Sequence, residues 1–385
     1  MRVVLNGLAA LKPKTGVGHH VAELAAALAA AHPGAVWQYP GERWAVPGGR
    51  TSGSDGASRR GTAVVKTALK AAGRAALQVH FATVTRRAGF DLYHEPNFLP
   101  FASPLPTVVT VHDLSVIRFP QWHPADRVAQ HQRRLAAAVR RAAHVITVSE
   151  AVRAETLAAF GVPPDRVTAV PNGVGQQFRP LPAFEVAAVI KRLGLPSRFF
   201  LCVGTVEPRK NLGVVLRAFA ALPEAVRRVC PLVLAGPWGW RAEAERQLFD
   251  DLARPAGAMH LGYVAAADLP AVYNATTGLL YPSFYEGFGM PPTEMLACGG
   301  AVLASTDPAV REVCGRHAAC LDPHDLDGWR TAMSYLATDD GYGQELRAGG
   351  VEHAAQFTWA RAAAETWAVY ERVLSRGAGR PATRR

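Results

Sequence analysis

The chain has 385 residues, 49% of them apolar and 19% charged, with a formal net charge of +11. That length exceeds what one hydrophobic core usually serves, so two domains are expected, and no apolar run reaches the roughly 18 residues that would span a bilayer. Five cysteines, an odd number with no Cys-x-x-Cys pair, exclude a disulfide framework or zinc site as the organising feature and read as small core residues.

The chain opens on MRVVLNGLAAL, which reads as a buried strand and lacks the basic start and cleavage site of a signal peptide; a cytoplasmic protein is expected. Short apolar runs at 3–5, 106–111, 144–148, 199–203, 232–235, 278–281 and 301–304 read as buried strands. Ala-rich amphipathic stretches at 21–31, 127–142, 152–160, 212–222, 243–252 and 326–336 read as helices between them. Such alternation predicts parallel α/β sheets. The pattern restarts after Pro180, Pro182 and Pro196. The predicted domains are 1–182 and 183–376. The last helix is a candidate to cross back to the first domain. Residues 41–61, rich in Gly and Ser, and the tail 377–385 read as disordered.

Four segments carry chemistry. In PSFYEGFGMPPTEMLACGG (282–300), a strand ends, a loop with Gly287 and Gly289 follows, and Pro291 and Pro292 suit a first helical turn. The start of that helix points free N–H groups and a positive dipole end toward a ligand. Glu286 and Glu294 lie eight positions apart, and a carboxylate accepts two hydroxyls well. In LCVGTVEPRKNL (201–212), a strand delivers Gly204, then Arg209 and Lys210, with Asn211 as an expected helix N-cap. Two adjacent cations at a strand's C-terminal end suit a diphosphate. No Asp-x-Asp pair is read as a metal-chelating motif. TGVGHHV (15–21) has too few glycines for a dinucleotide fingerprint, which argues against hydride transfer. TVVTVHDLS (107–115) sets His112 and Asp113 just beyond a buried strand.

The Tyr285–Gly289, Pro291 and Glu294 pattern resembles the Glu-x7-Glu motif of family 4 glycosyltransferases, and Arg209–Lys210–Asn211 resembles that family's Arg-Lys-Asn element. The resemblance spans about residues 90–375 and, more loosely, 1–30. It implies the GT-B fold, two Rossmann-like doubly wound domains facing a cleft. It implies a retaining, metal-independent enzyme that needs no cofactor and moves a sugar from a nucleotide-diphosphate donor. Glu286 and the Gly287–Phe288–Gly289 backbone would then bind donor-sugar hydroxyls, and Glu294 the ribose. Gly204, Arg209 and Lys210 would face the diphosphate. Gly16, Val17 and Gly18 would close over the phosphates and acceptor, and His112 would lie beside the reacting sugar. Backbone near Tyr263 and Val264 would meet the base. Asp113, His94 (in YHEPNFLP, 93–100) and Asn97 are acceptor-side candidates, and Asn172 (in VPNGV, 170–174) is a weaker one. The EPRKN and VHDLS forms resemble the mannosyltransferase-like branch that serves polysaccharide assembly, so GDP-mannose leads and UDP-sugars follow. A sugar-nucleotide epimerase of the same fold and a nonenzymatic sugar-nucleotide binder are the alternatives.

Residues 1–180 carry 21 Lys and Arg against 10 Asp and Glu, whereas residues 181–385 carry 21 of each. Lys66, Lys70 and Arg74 recur every four residues, so on a helix they form one cationic stripe. Arg127, Arg133, Arg134, Arg140 and Arg141 add a second basic stretch. These patterns predict peripheral contact with an anionic membrane and a polyprenyl-linked or other glycan acceptor. Nucleic acid is a poor partner, since aromatics for base stacking are scarce there.

Overall fold

A computed structural model describes residues 1–11, 16–40 and 63–378; the side chains of residues 63–72, 377 and 378 fall outside it. The first sheet contains β1 (Val3–Asn6), β2 (Val36–Tyr39), β3 (Leu92–Glu95), β4 (Thr107–Val111), β5 (His144–Thr147) and β6 (Val167–Ala169). The second contains β7 (Phe200–Val203), β8 (Leu232–Ala235), β9 (Met259–Gly262), β10 (Gly278–Tyr281), β11 (Val302–Ser305) and β12 (Ala319–Leu321). Their orders are β2-β1-β3-β4-β5-β6 and β12-β11-β10-β7-β8-β9, and every pairing is parallel. The central strands are continuous apolar runs because helices cover both faces.

Each order reverses once, between β1 and β3 in the first sheet and between β7 and β10 in the second. Open α/β sheets bind ligands at such a switch point, beyond the strand C-termini. The segments after β1 and β3 carry Gly16, Gly18 and Asn97; those after β7 and β10 carry Arg209, Lys210 and Glu286. Topology alone therefore brings the motif residues to one cleft.

The last helix, Trp359–Ala378, leaves the second domain and packs on helix Gly16–Ala31 of the first. Ala362, Ala363, Val369 and Tyr370 join the core that contains Val3, Leu5 and Leu24. Helix Ala183–Leu193 packs on helix Leu269–Ala275 and so belongs with the second sheet.

The two domains touch through specific polar contacts. Glu312 accepts from the backbone N–H groups of Glu150 (2.8 Å) and Ala151 (3.0 Å), placing a carboxylate at the positive end of helix Glu150–Phe160. The Tyr285 hydroxyl accepts from Leu114 N (2.9 Å) and donates to Glu155 Oε2 (2.6 Å). Ser149 Oγ donates to the Gly287 carbonyl at 2.7 Å.

Candidate active site

β7 ends into a loop that begins at Gly204, whose φ of +123° suits glycine. The loop after β8 presses against it: a β-carbon on Gly236 would lie 2.0 Å from the Gly204 carbonyl oxygen. A short turn, Pro208–Lys210, then presents the two cations. Asn211 does not cap the following helix as its sequence position suggests. Its backbone is left-handed (φ 51°), and its Nδ2 donates to the carbonyls of Pro282 (3.0 Å) and Pro323 (2.7 Å). It ties the β7 loop to the β10 loop instead.

Glu286 receives both cations. Lys210 Nζ lies 2.6 Å from Oε1, and Arg209 reaches Oε2 at 2.5 Å while also donating to the Tyr285 carbonyl at 2.9 Å. Arg209 additionally pairs with buried Glu207 at 2.7 Å, and Lys210 donates to the Tyr281 hydroxyl at 3.0 Å. Burial alone would raise the Glu286 carboxyl; Arg209 and Lys210 outweigh it and hold it down at about 2. The Glu286 N–H reaches Asp307 Oδ2 at 3.2 Å, and Oδ1 of the same aspartate caps helix Pro308–Cys314. Gly204, Thr205, Lys210, Tyr281 and Ser283 line a recess beside this cluster.

Glu294 stands in helix Met290–Ala297 and accepts from the Tyr273 hydroxyl at 2.8 Å. Burial pushes its carboxyl up to about 7. Between the two glutamates, Gly287 lies against the first domain, where a β-carbon would come 1.8 Å from the His112 carbonyl oxygen. Gly289 has φ of +114° at the helix start. The Phe288 ring is core, packed against Phe357, so only its backbone is left for the cleft.

Across the cleft, His112 is buried and its Nε2 meets the Pro96 carbonyl at 2.8 Å. Burial lowers its pKa, so the ring is neutral. Asp113 accepts from Ser115 N (2.8 Å) and Ser115 Oγ (2.6 Å). Gly16, Val17 and Gly18 form the first turn of helix Gly16–Ala31 rather than a free loop, and the Val17 side chain packs on the core. Tyr263 is 73% exposed beyond β9, and Val264 packs on the second core.

Three acceptor-side expectations change. His94 is fully buried, with Nδ1 on the Tyr370 hydroxyl (2.7 Å) and Nε2 on Thr110 Oγ1 (2.8 Å), so it fastens the last helix to β3 and touches no cleft. Arg74 leaves the cationic stripe. It donates to the Leu99 and Pro100 carbonyls and lies over Phe101. The Lys66 and Lys70 side chains, like residues 41–61 and most of the tail, lie outside the described residues. Asn97 is exposed, and its N–H donates to Glu95 at 3.1 Å. One Asp-x-Asp sequence does occur, Asp325–Leu326–Asp327, but Asp325 caps a helix through Gly328 N and Asp327 pairs with Arg330.

Sequence reasoning passed over Glu207, Tyr273, Tyr281, Asp307 and His20. Asp307 had a readable signal, an Asp-Pro helix start after a strand. His20 meets Asn172 at 2.8 Å and sets its ring edge-on to His112, with centroids 4.6 Å apart.

Known proteins resemble this chain in sequence and in fold. Residues 14–177 match the model described as Glycosyltransferase Family 4, and residues 188–354 the model described as Glycosyl transferases group 1. An O-antigen chain mannosyltransferase B of Escherichia coli is 34% identical over 282 residues, 73% of this chain and 74% of that protein. The chain belongs to glycosyltransferase family 4. A second relative of this glycosyltransferase, the serotype-specific mannosyltransferase WbdA of Escherichia coli, is 29% identical over 68% of this chain; the match spans 32% of WbdA. The fold is GT-B. HepE of Anabaena, solved with UDP and glucose, superposes with a TM-score of 0.71 at 16% identity, covering 96% of this chain and 99% of HepE.

Proposed function

We propose that this glycosyltransferase moves mannose from GDP-mannose to a saccharide acceptor, with retention of configuration and without a metal ion. The observation that carries the reading is the Arg209–Lys210 pair at the switch point of the second sheet, facing Glu286. Arg209 and Lys210 neutralise the departing diphosphate, assisted by the N-terminus of helix Met290–Ala297. Stabilising charge at the leaving group is the chief contribution of the protein. Glu286 exchanges its cation partners for donor-sugar hydroxyls, and Glu294 holds the ribose. The acceptor lies against the first domain near His112, and a donor phosphate oxygen takes its hydroxyl proton.

Mannose is favoured by the names of the two relatives, both mannosyltransferases. The basic first half supports a lipid-linked acceptor reached from an anionic membrane surface. Among the described residues no helix is long and apolar enough to cross a membrane. The test is a thermal-shift screen of GDP- and UDP-sugars followed by radiolabelled transfer to simple glycosides. Transfer of mannose from GDP-mannose is the expected result; transfer from UDP-sugars alone, or donor hydrolysis with every acceptor, contradicts it.

A further inference from the structure

His123 sits in the turn between Pro120–Trp122 and helix Ala125–Arg141, and its side chain is almost wholly buried, with 3% exposed. Among the described residues, neither ring nitrogen has a hydrogen-bond partner. Buried polar groups rarely go unsatisfied, and an orphan in a native fold calls for a reason. Nothing in the packing of the first domain supplies one.

Its surroundings do. Burial lowers the pKa of the ring to about 4, with Asp113 opposing and Arg127, Arg209 and His131 adding to the shift, so charges of both domains act on it. Trp240 of the second domain lies 6.2 Å away, centroid to centroid. Phe98 carries a left-handed φ of 59°, rare for a bulky side chain, and sets its ring against both His112 (5.5 Å) and His131 (5.6 Å). The orphaned imidazole thus faces the second domain, with Trp240 as its ring neighbour there.

This enclosure is made by both domains. Trp240 Nε1 donates to the Trp122 carbonyl at 3.0 Å, Arg241 donates to the Gln121 carbonyl, and the Arg127 guanidinium lies 4.7 Å above the Trp240 ring. Those three contacts bracket His123 in sequence and hold the loop after β8 over it. Its burial therefore depends on closure.

We propose that His123, with Trp240 across the cleft, forms a hydroxyl-reading subsite for the acceptor saccharide, completed only when the domains close. A neutral imidazole offers one donor and one acceptor, and a sugar hydroxyl both gives and takes a hydrogen bond. The donor sugar is served by Glu286 and the Gly287–Gly289 backbone, so His123 reads the acceptor. The inference rests on the glycosyl-transfer reading but not on the identity of the donor.

Saturation-transfer NMR tests it directly. The probes are the methyl α-glycosides of mannose, glucose, galactose, rhamnose and N-acetylglucosamine, added to protein saturated with GDP or UDP, whichever binds. At least one glycoside should bind the wild type. His123→Ala should weaken that binding roughly tenfold, the loss of about one hydrogen bond, and His123→Asn should recover part of it. Nucleotide affinity should stay within twofold in both variants. Truncating this buried ring leaves a cavity and lowers the unfolding midpoint in either case, so affinities are compared below the midpoint of the less stable variant, and the discriminating readout is the loss of glycoside with nucleotide retained. The proposal is overturned if no glycoside binds the wild type at millimolar concentration. It is also overturned if His123→Ala binds the glycoside normally, or if it loses nucleotide instead. Failure of GDP-mannose as donor, by contrast, shows only in the transfer assay.

Discussion

Lys210 Nζ lies 2.6 Å from Glu286 Oε1, across the switch point of the second sheet. The carboxylate pairs with both cations of the site, since Arg209 occupies its other oxygen. In the proposed reading a diphosphate competes for those same cations and its arrival releases the carboxylate for sugar hydroxyls. This exchange keeps two buried positive charges compensated in either state, which isolated buried cations would not be.

Removing either cation should therefore act on turnover. Lys210→Ala and Arg209→Ala should each lower kcat by roughly 100-fold, since deleting one preorganised donor to a developing anion costs about 3 kcal/mol. Initial-rate kinetics check this. Near-normal rates in both single variants would remove the leaving-group assignment.

Glu294 predicts a pH dependence of stability. In the fold its carboxyl titrates at about 7, above its ordinary value of 4.5. Between those values the folded chain holds a proton that the unfolded chain has lost, so this group's contribution falls as pH rises from 4.5 to 7 and is level above. Glu294→Gln should lack that slope, becoming more stable relative to wild type at pH 8 than at pH 5. The same variant should bind GDP roughly tenfold more weakly, for loss of a charged acceptor to ribose. Chemical denaturation at the two pH values and calorimetric titration with GDP read both effects.

Metal independence has a simple check. EDTA should leave transfer unchanged, because Arg209, Lys210 and a helix terminus take the role of a divalent ion. A rate abolished by EDTA and restored by Mg²⁺ or Mn²⁺ would contradict it.

Gly287 predicts a closure defect. A β-carbon there would lie 1.8 Å from the His112 carbonyl oxygen, and the Gly287 carbonyl is already fixed by Ser149. Gly287→Ala should prop the domains apart. It should increase the radius of gyration by X-ray scattering and reduce transfer by roughly 100-fold, through loss of positioning. An unchanged scattering curve with full activity would show that the close approach does not matter.

Membrane docking is testable by flotation. Helix Ala125–Arg141 exposes Arg133, Arg134, Arg140 and Arg141. Wild type should float with anionic vesicles at low salt, and a variant with these four arginines changed to glutamate should not. If wild type ignores such vesicles, a soluble acceptor is the better reading.

Most central strands and the proposed donor motifs were legible in the sequence because both have strong local signatures. β8 and β10 are unbroken apolar runs with the same bounds in the structure as in the sequence pattern. β2, β6, β9 and β12 escaped because they are short, half-exposed strands at the sheet edges, and β3, though central and buried, escaped because His94 and Glu95 interrupt its apolar run. Arg209, Lys210 and Glu286 were legible as separate motifs, but their direct pairing across more than 70 residues was not. His94 and Arg74 misled for the same reason. Each has a cleft-like or surface-like sequence position, and each is claimed by a distant partner, Tyr370 or the Leu99 carbonyl, that no local pattern announces. His123 gave no signal at all, because its environment is assembled from two domains.

The most direct test of the account is the anomeric configuration of the product. Incubated with GDP-α-D-mannose and an accepting glycoside in the presence of EDTA, the enzyme should release GDP and form a new α-mannosidic linkage, read from the one-bond C1–H1 coupling by NMR. A β-linked product, or no mannose transfer while a UDP-sugar is consumed, would contradict it.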